Sequence, residues 1–295
     1  YKDDRIRLVK NAYNIGYSGN VDKATNVAKG DFMILLLADD MLKPNALEDF
    51  TKLIDLYSDN DQDLVICGQI EKTHNNQVLS ISGPKGGMIS EKTDKFKEEN
   101  FESNNPLVEV YNGLDIFRIL MTTNFSTPGP VQATCYSRTL FQKVNGYHSP
   151  TVTIPDASFG HKICLMDAKI IYYSKPLAIF RLHDASFTAD TSKMKNIKLL
   201  TDKYLLSLEF SDEELRKAGL DRKDVQLAFI NHWCIKLPFI YLYTGRINRF
   251  YFHYIFGFAS FPKIMLSQFK TYLLLLLSVF SPIFWNFRKL FLNIR

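Results

Sequence analysis

Six apolar residues in a row, Phe32–Leu37 (FMILLL), run straight into Ala38-Asp39-Asp40. An unbroken apolar run of this length reads as a strand buried on both faces of a parallel sheet. Such a strand commits the chain to an α/β architecture, with helices covering the sheet. In open α/β sheets ligands bind beyond the carboxyl ends of the strands, which is where the two carboxylates fall. Side by side they repel each other, and a hard divalent cation shared with a diphosphate relieves that repulsion. The same pair also reads as a solvated turn before a helix opening at Pro44, with Asp40 near its N-terminus.

The surrounding sequence alternates strand and helix patterns. Arg5–Val9 (RIRLV) reads as a short strand, and Lys10–Asn20 as a loop carrying Gly16 and Gly19. Val21, Ala24, Val27 and Ala28 then mark a helical face, with Gly30 as its C-terminal glycine. From Pro44, the residues Leu47, Phe50, Ile54 and Tyr57 define the inward face of a second helix. Leu64–Ile70 reads as a strand, and Glu71–Pro106 as a polar excursion opening on a hairpin. A helix is expected over Val110–Met121, a strand over Val131–Tyr136, and a helix over Ser137–Val144 ending at Gly146. A further helix covers Asp156–Ala168, with Phe159, Ile163 and Met166 inward, followed by strands Lys169–Tyr173 and Leu177–Leu182.

Taken in order, several of these pieces resemble family 2 glycosyltransferases. They are Asn14-x-Gly16-x-x-Gly19-Asn20, Ala28-x-Gly30-Asp31, the strand ending in Ala38-Asp39-Asp40, and Leu42-x-Pro44-x-x-Leu47-Glu48. Further on, Ser137-Arg138 through Phe141, Val144-Asn145-Gly146-Tyr147, Asp156, and Arg181-x-His183-x-x-Ser186 resemble the same family. The resemblance runs from Ile6 to Ser186. It implies a GT-A-type mixed sheet flanked by helices, and an inverting, metal-dependent transfer of sugar from a nucleotide-diphosphate sugar to a hydroxyl of a glycan or lipid-linked acceptor, as in cell-surface polysaccharide synthesis. Asp39 and Asp40 would hold Mg²⁺ or Mn²⁺, with Asn14, Gly16, Asn20, Asp39 and His183 toward the donor.

Asp156 is the implied general base, the carboxylate that takes the acceptor hydroxyl's proton during attack. Read without the resemblance, an Asp opening a helix is an N-terminal cap. His183 follows a strand, where imidazole is able to ligate a metal or donate to phosphate, and an ordinary surface or core histidine is the other reading. His161 reads as structural. Two departures from the family stand out. Leu37 occupies the place where members often have Asp, although Gly-Asp-Asp also occurs there. The strand–loop–helix–strand that opens the family and cradles base and ribose has no counterpart before Tyr1. The sequence is therefore expected to be partial, and an inactive, truncated membrane-surface protein derived from such an enzyme is the alternative.

Charge divides the chain sharply. All 31 acidic residues precede Val225, whereas eight of the 36 Lys and Arg follow it. An acid-free basic segment suits nucleic acid or an anionic membrane. Leu273–Leu277, the many Phe and Tyr, and the scattered cations favour the membrane and exclude nucleic acid as a partner. Thr271–Phe287 would rise about 26 Å as a helix, short of a roughly 30 Å hydrocarbon core, and Pro282 interrupts it. An interfacial tail at the cytoplasmic face is therefore expected, ahead of a spanning helix. The expected division is a partial catalytic domain over 1–190, a helical connector over 191–224 and a membrane-associated tail over 225–295. Cys67, Cys135, Cys164 and Cys234 lie far apart with no Cys-x-x-Cys pair, which argues against a zinc or disulfide framework and for a reducing compartment.

Overall fold

A computed structural model describes residues 3–58, 63–83, 108–123, 127–147, 149, 155–183 and 195–292, with backbone alone at 195–199 and 281–292. Ser186, residues 84–106 of the polar excursion and most of the loop before Pro155 lie outside the described residues. The chain divides into two compact units. One comprises residues 1–120 and 125–209, and the other residues 121–124 and 210–295.

The first unit is built on a mixed seven-stranded sheet, β1 (Phe32–Ile34), β2 (Met41–Leu42), β3 (Leu64–His74), β4 (Gln77–Ser82), β5 (Val108–Asn112), β6 (Thr134–Ser137) and β7 (Lys169–Leu182). The path runs β1-β6-β3-β7-β2, with β4 paired to β3 and β5 to β7. Only β3 and β7 run parallel, and the other pairings are antiparallel. Among the described residues, helices α1 (Gly16–Val27), α2 (Ala46–Tyr57), α3 (Gly113–Thr122, its last two residues assigned to the other unit), α4 (Arg138–Lys143), α5 (Pro155–Leu165) and α6 (Lys195–Glu209) accompany the sheet. Phe50 and Leu53 of α2 enter a core with Leu64, Ile66, Cys135 and Leu177.

Both long strands change partners along their length. The first half of β3 pairs with β6 and its second half with β4, while β7 pairs first with β5 and then with β2. The β3–β7 register shifts around Gly68. A Cβ at Gly68 would stand 2.5 Å from Leu177 Cδ1, so the missing side chain lets Leu177 cross the strand at this irregularity.

Several expectations are corrected. Arg5–Val9 forms no strand; Ile6, Leu8 and Val9 are exposed, and the segment pairs with no described strand. The run Phe32–Leu37 is a strand only to Ile34, because the Cα pairing with β6 ends at Cys135. The sheet is mixed rather than parallel around β1. Gly30 lies beyond the extended cap residue Ala28. The second helix begins at Ala46, so Ala46, Phe50 and Leu53 turn inward while Leu47 is exposed. Val110–Asn112 belongs to β5, Val131–Ala133 is a 3-10 turn before β6, and Met166 faces outward past the end of α5. The two expected strands after α5 are one irregular strand. The hairpin opening the polar excursion is present as β3–β4, turning on Asn75 and Asn76, both with positive φ.

The second unit is helical: α7 (Asp212–Lys217), α8 (Arg222–Phe229), a π-helix at Ile230–Lys236, α9 (Leu237–Tyr243), α10 (Ile247–Ser260), α11 (Pro262–Ser267) and α12 (Phe269–Leu292). Capping boxes start α7 at Ser211 and α8 at Asp221. The four cysteines are free and buried. Among the described residues no helix is long and apolar enough to cross a membrane.

Candidate active site

Beyond β1 the chain turns at Leu37–Asp40, where the Asp40 N–H donates to Leu37 O at 3.1 Å. It then pairs as β2 with the second half of β7, Met41 opposite Ile179 and Leu42 opposite Ala178. This brings Asp39 and Asp40 beside the end of β7. Arg181 N–H donates to Asp40 Oδ1 at 3.2 Å, and the Arg181 guanidinium donates to Asp39 O. His183 Nε2 stands 3.2 Å from Asp39 Oδ2. Two residues far apart in sequence thus meet at the carboxyl ends of β1 and β7.

The two carboxylates have different surroundings. Asp39 is partly exposed beside His183. Asp40 is buried, and its Oδ2 has no hydrogen-bond partner among the described residues. Burial pushes the Asp40 carboxyl above its ordinary range, against the opposing pull of bonds from Gln132 and the Arg181 backbone; the Asp39 charge adds to the rise. Among the described residues no three His, Cys, Asp or Glu converge as a ready metal cage. The residues do fit a cation held from one side: Asp39 Oδ2 and His183 Nε2 face each other as an oxygen and a nitrogen donor, with Asp40 behind them.

Asp156 lies in the first turn of α5. Burial raises its carboxyl, two backbone N–H groups, its own and that of Ala157, pull it back, and the Asp202 charge raises it again. It is therefore the acidic residue of the first helical turn as well as a candidate base. Asp156 lines a cleft with Pro128, Gly129, Thr134, Tyr136 and Tyr147. Beneath it Tyr147 stacks on Phe159 at 4.4 Å between ring centroids, and Tyr136 meets Phe159 edge-on at 5.2 Å. Tyr17 of α1 meets Tyr147 edge-on at 6.3 Å. The Tyr136 hydroxyl is buried without a hydrogen-bond partner among the described residues.

The turn Val131–Ala133 joins the two groups. Gln132 lies close enough to Asp40 to pull its carboxyl down on one side, while Val131 and Thr134 line the Asp156 cleft on the other. Gly146 fixes the far wall. It has φ +74°, and a Cβ there would come within 2.5 Å of Asp22 Oδ1, the atom that accepts from Tyr147 N–H at 2.6 Å.

Asn14, Gly16 and Asn20 bond locally. Asn14 Oδ1 accepts from Gly16 N–H at 2.9 Å and Asn20 Oδ1 from Asn11 Nδ2 at 3.0 Å, which shapes the start of α1. His161 is buried, with Nδ1 2.7 Å from Ala157 O, and burial depresses it to about 3, aided by Lys203. Sequence reasoning passed over Tyr17, Gln132, Tyr136 and Tyr147. For Tyr136 and Tyr147 the available signal was a phenol at core positions where phenylalanine would pack as well.

Residues 1–110 match the family model described as glycosyl transferase family 2. An uncharacterized glycosyltransferase of Methanocaldococcus jannaschii is 38% identical over 63 residues, which is 21% of this chain and 20% of that protein. Among solved structures, S. aureus TarS 1-349 in complex with UDP-GlcNAc aligns over 71% of this chain and 50% of its own, at 14% identity and a TM-score of 0.45. A mannosyltransferase from Pyrobaculum calidifontis in complex with GDP-Man and Mn²⁺ aligns over 93% and 69%, at 12% identity and a TM-score of 0.41. The chain spans a fifth of the length of the curated relative and half that of TarS 1-349. The likeness to glycosyl transferase family 2 thus covers residues 1–110 of the 295.

Proposed function

We propose that this site transfers a sugar from a nucleotide-diphosphate sugar to a hydroxyl of a glycan or lipid-linked acceptor, with inversion, in the synthesis of a surface polysaccharide. The observation that carries the reading is the Gln132 turn. It sets a donor-side group (Asp39, Asp40, His183) and an acceptor-side cleft (Asp156) on either side of three residues. A Mg²⁺ or Mn²⁺ ion at Asp39 and His183 would neutralise charge on the departing diphosphate. Asp40, braced by Gln132 and Arg181, positions the turn that presents Asp39.

Asp156 takes the proton from the acceptor hydroxyl as its oxygen bonds to the anomeric carbon. The bond to the diphosphate breaks on the opposite face, so configuration inverts in one displacement. Among the described residues the cleft's only charged lining residue is this carboxylate, which suits a neutral hydroxyl-bearing acceptor better than an anionic one. The test is a screen of UDP- and GDP-sugars with Mn²⁺, using neutral and anionic glycosides as acceptors, with NMR of the product's anomeric centre. Asp156→Asn should lower transfer by about 10²–10⁴-fold and leave donor affinity within a few-fold. Retained configuration, or full turnover by that variant, overturns the assignment.

A further inference from the structure

The last helix is amphipathic in the reverse sense from a soluble packing helix. Among the described side chains of α12, residues 269–280, the buried positions are Thr271, Leu274 and Ser278, two of the three hydroxylic. The exposed large apolar residues include Phe269, Tyr272, Leu273, Leu276, Val279 and Phe280. Their spacing of three and four places them on one stripe. Exposure reaches 78% at Phe269 and 67% at Val279. The inward face is fixed to its own unit: Tyr254 Oη donates to Thr271 O at 3.1 Å, and Thr271 Oγ1 donates to Met265 O at 2.7 Å. A continuous outward apolar stripe marks an interaction surface.

Charge identifies the occupant. Lys270 is exposed on α12 itself, Lys236, Arg246 and Lys263 are exposed on other elements of the same unit, and no acidic residue occurs from Val225 to Arg295. Docking two copies face to face would gather like charges, whereas an anionic lipid surface neutralises them. Exposed Phe239, Ile240 and Tyr243 on α9 add the apolar and aromatic side chains that suit a headgroup boundary. We propose that the outward stripe of α12 is a membrane-docking face, lying flat in the anionic surface of a bilayer at its cytoplasmic leaflet. Among the described residues no helix is long and apolar enough to cross the bilayer.

The whole chain should sediment with vesicles of phosphatidylcholine plus phosphatidylglycerol, and less so in high salt. The double substitution Leu273→Glu, Leu276→Glu should weaken sedimentation by at least about tenfold, as when two leucines cease to be buried, with helicity unchanged by circular dichroism. Lys263→Glu with Lys270→Glu should remove the preference for anionic over neutral vesicles. The native cysteines are buried, so a fluorophore on Cys introduced at 272, 276 or 280 reports depth selectively. Equal, shallow quenching at the three positions supports a flat helix, and quenching that deepens steadily from 272 to 280 overturns it. Failure to sediment with either vesicle, or light scattering that shows a dimer dissociated by the Leu→Glu pair, overturns membrane docking.

Discussion

His183 Nε2 lies 3.2 Å from Asp39 Oδ2, joining the turn after β1 to the end of β7. The contact depends on the short antiparallel pairing of Met41 and Leu42 with Ile179 and Ala178, which carries Asp39 to the neighbouring strand. If the pair is a divalent site, Asp39→Ala and His183→Ala should each weaken Mn²⁺-dependent donor binding, the aspartate change more severely. Asp40→Ala should weaken it through loss of the bond from the Arg181 backbone. Titration of Mn²⁺ against donor binding reads this. Wild-type metal dependence in all three variants would leave the cluster a structural turn.

The Asp156 carboxyl is raised chiefly by burial, so its protonated form persists above the ordinary aspartate range of about 3.9. A base is active only when deprotonated. The acid limb of kcat/KM should therefore lie above that value, activity falling as pH drops through the raised pKa. Asp202→Asn removes a neighbouring negative charge and should move the limb toward lower pH. A limb that stays in place in Asp202→Asn would show that this neighbour does not set the titration.

Tyr136→Phe removes a buried hydroxyl with no described partner. The expected result is equal or greater stability, by up to about 1–3 kcal/mol, together with a several-fold higher acceptor KM. Thermal melting and acceptor titration measure the two effects separately. Lower stability with unchanged KM would assign the hydroxyl to the fold alone.

Asp63 is the reverse of Asp156. Burial pushes its carboxyl up, but bonds from Lys143 (2.6 Å), Thr139 (2.6 Å) and Ser137 (3.1 Å) outweigh this and leave it below the ordinary value. Its stabilisation is therefore complete above about pH 4 and is lost as pH falls through the lowered folded pKa. Asp63→Ala should cost about 1–3 kcal/mol at neutral pH and flatten the acid side of the stability profile, read by urea denaturation across pH.

The sequence carried the parts of this fold that rest on local chemistry. Gly146 closes α4 with positive φ, Asp156 opens α5, and β3 begins where Leu64 begins its apolar run. Elements that depend on a distant partner were less legible. Apolar periodicity reports burial but not pairing, so Arg5–Val9 looked like a strand and Phe32–Leu37 a longer one than its contact with β6 sustains. Leu47 looked inward because its apolar spacing with Phe50 and Ile54 is shared by two overlapping faces, and the packed one carries Ala46, Phe50 and Leu53. At the site, the resemblance supplied Asp39, Asp40, Asp156 and His183 as separate points. Joining them required Gln132, whose side chain has no signature in sequence, and the tyrosine cleft was hidden among ordinary core aromatics.

The parallel pairing of β3 with β7 also bears on how the chain reaches its folded state. Leu64 aligns with Lys169 and His74 with Leu182, so the centre of the sheet closes only across a long intervening segment. Non-local pairing of this kind slows folding, whereas helices stacked on sequence neighbours assemble quickly. During synthesis β3 emerges well before its partner. Its Leu-Val-Ile-Cys edge stays open until β7 leaves the ribosome, and that interval is when this protein is most exposed to aggregation.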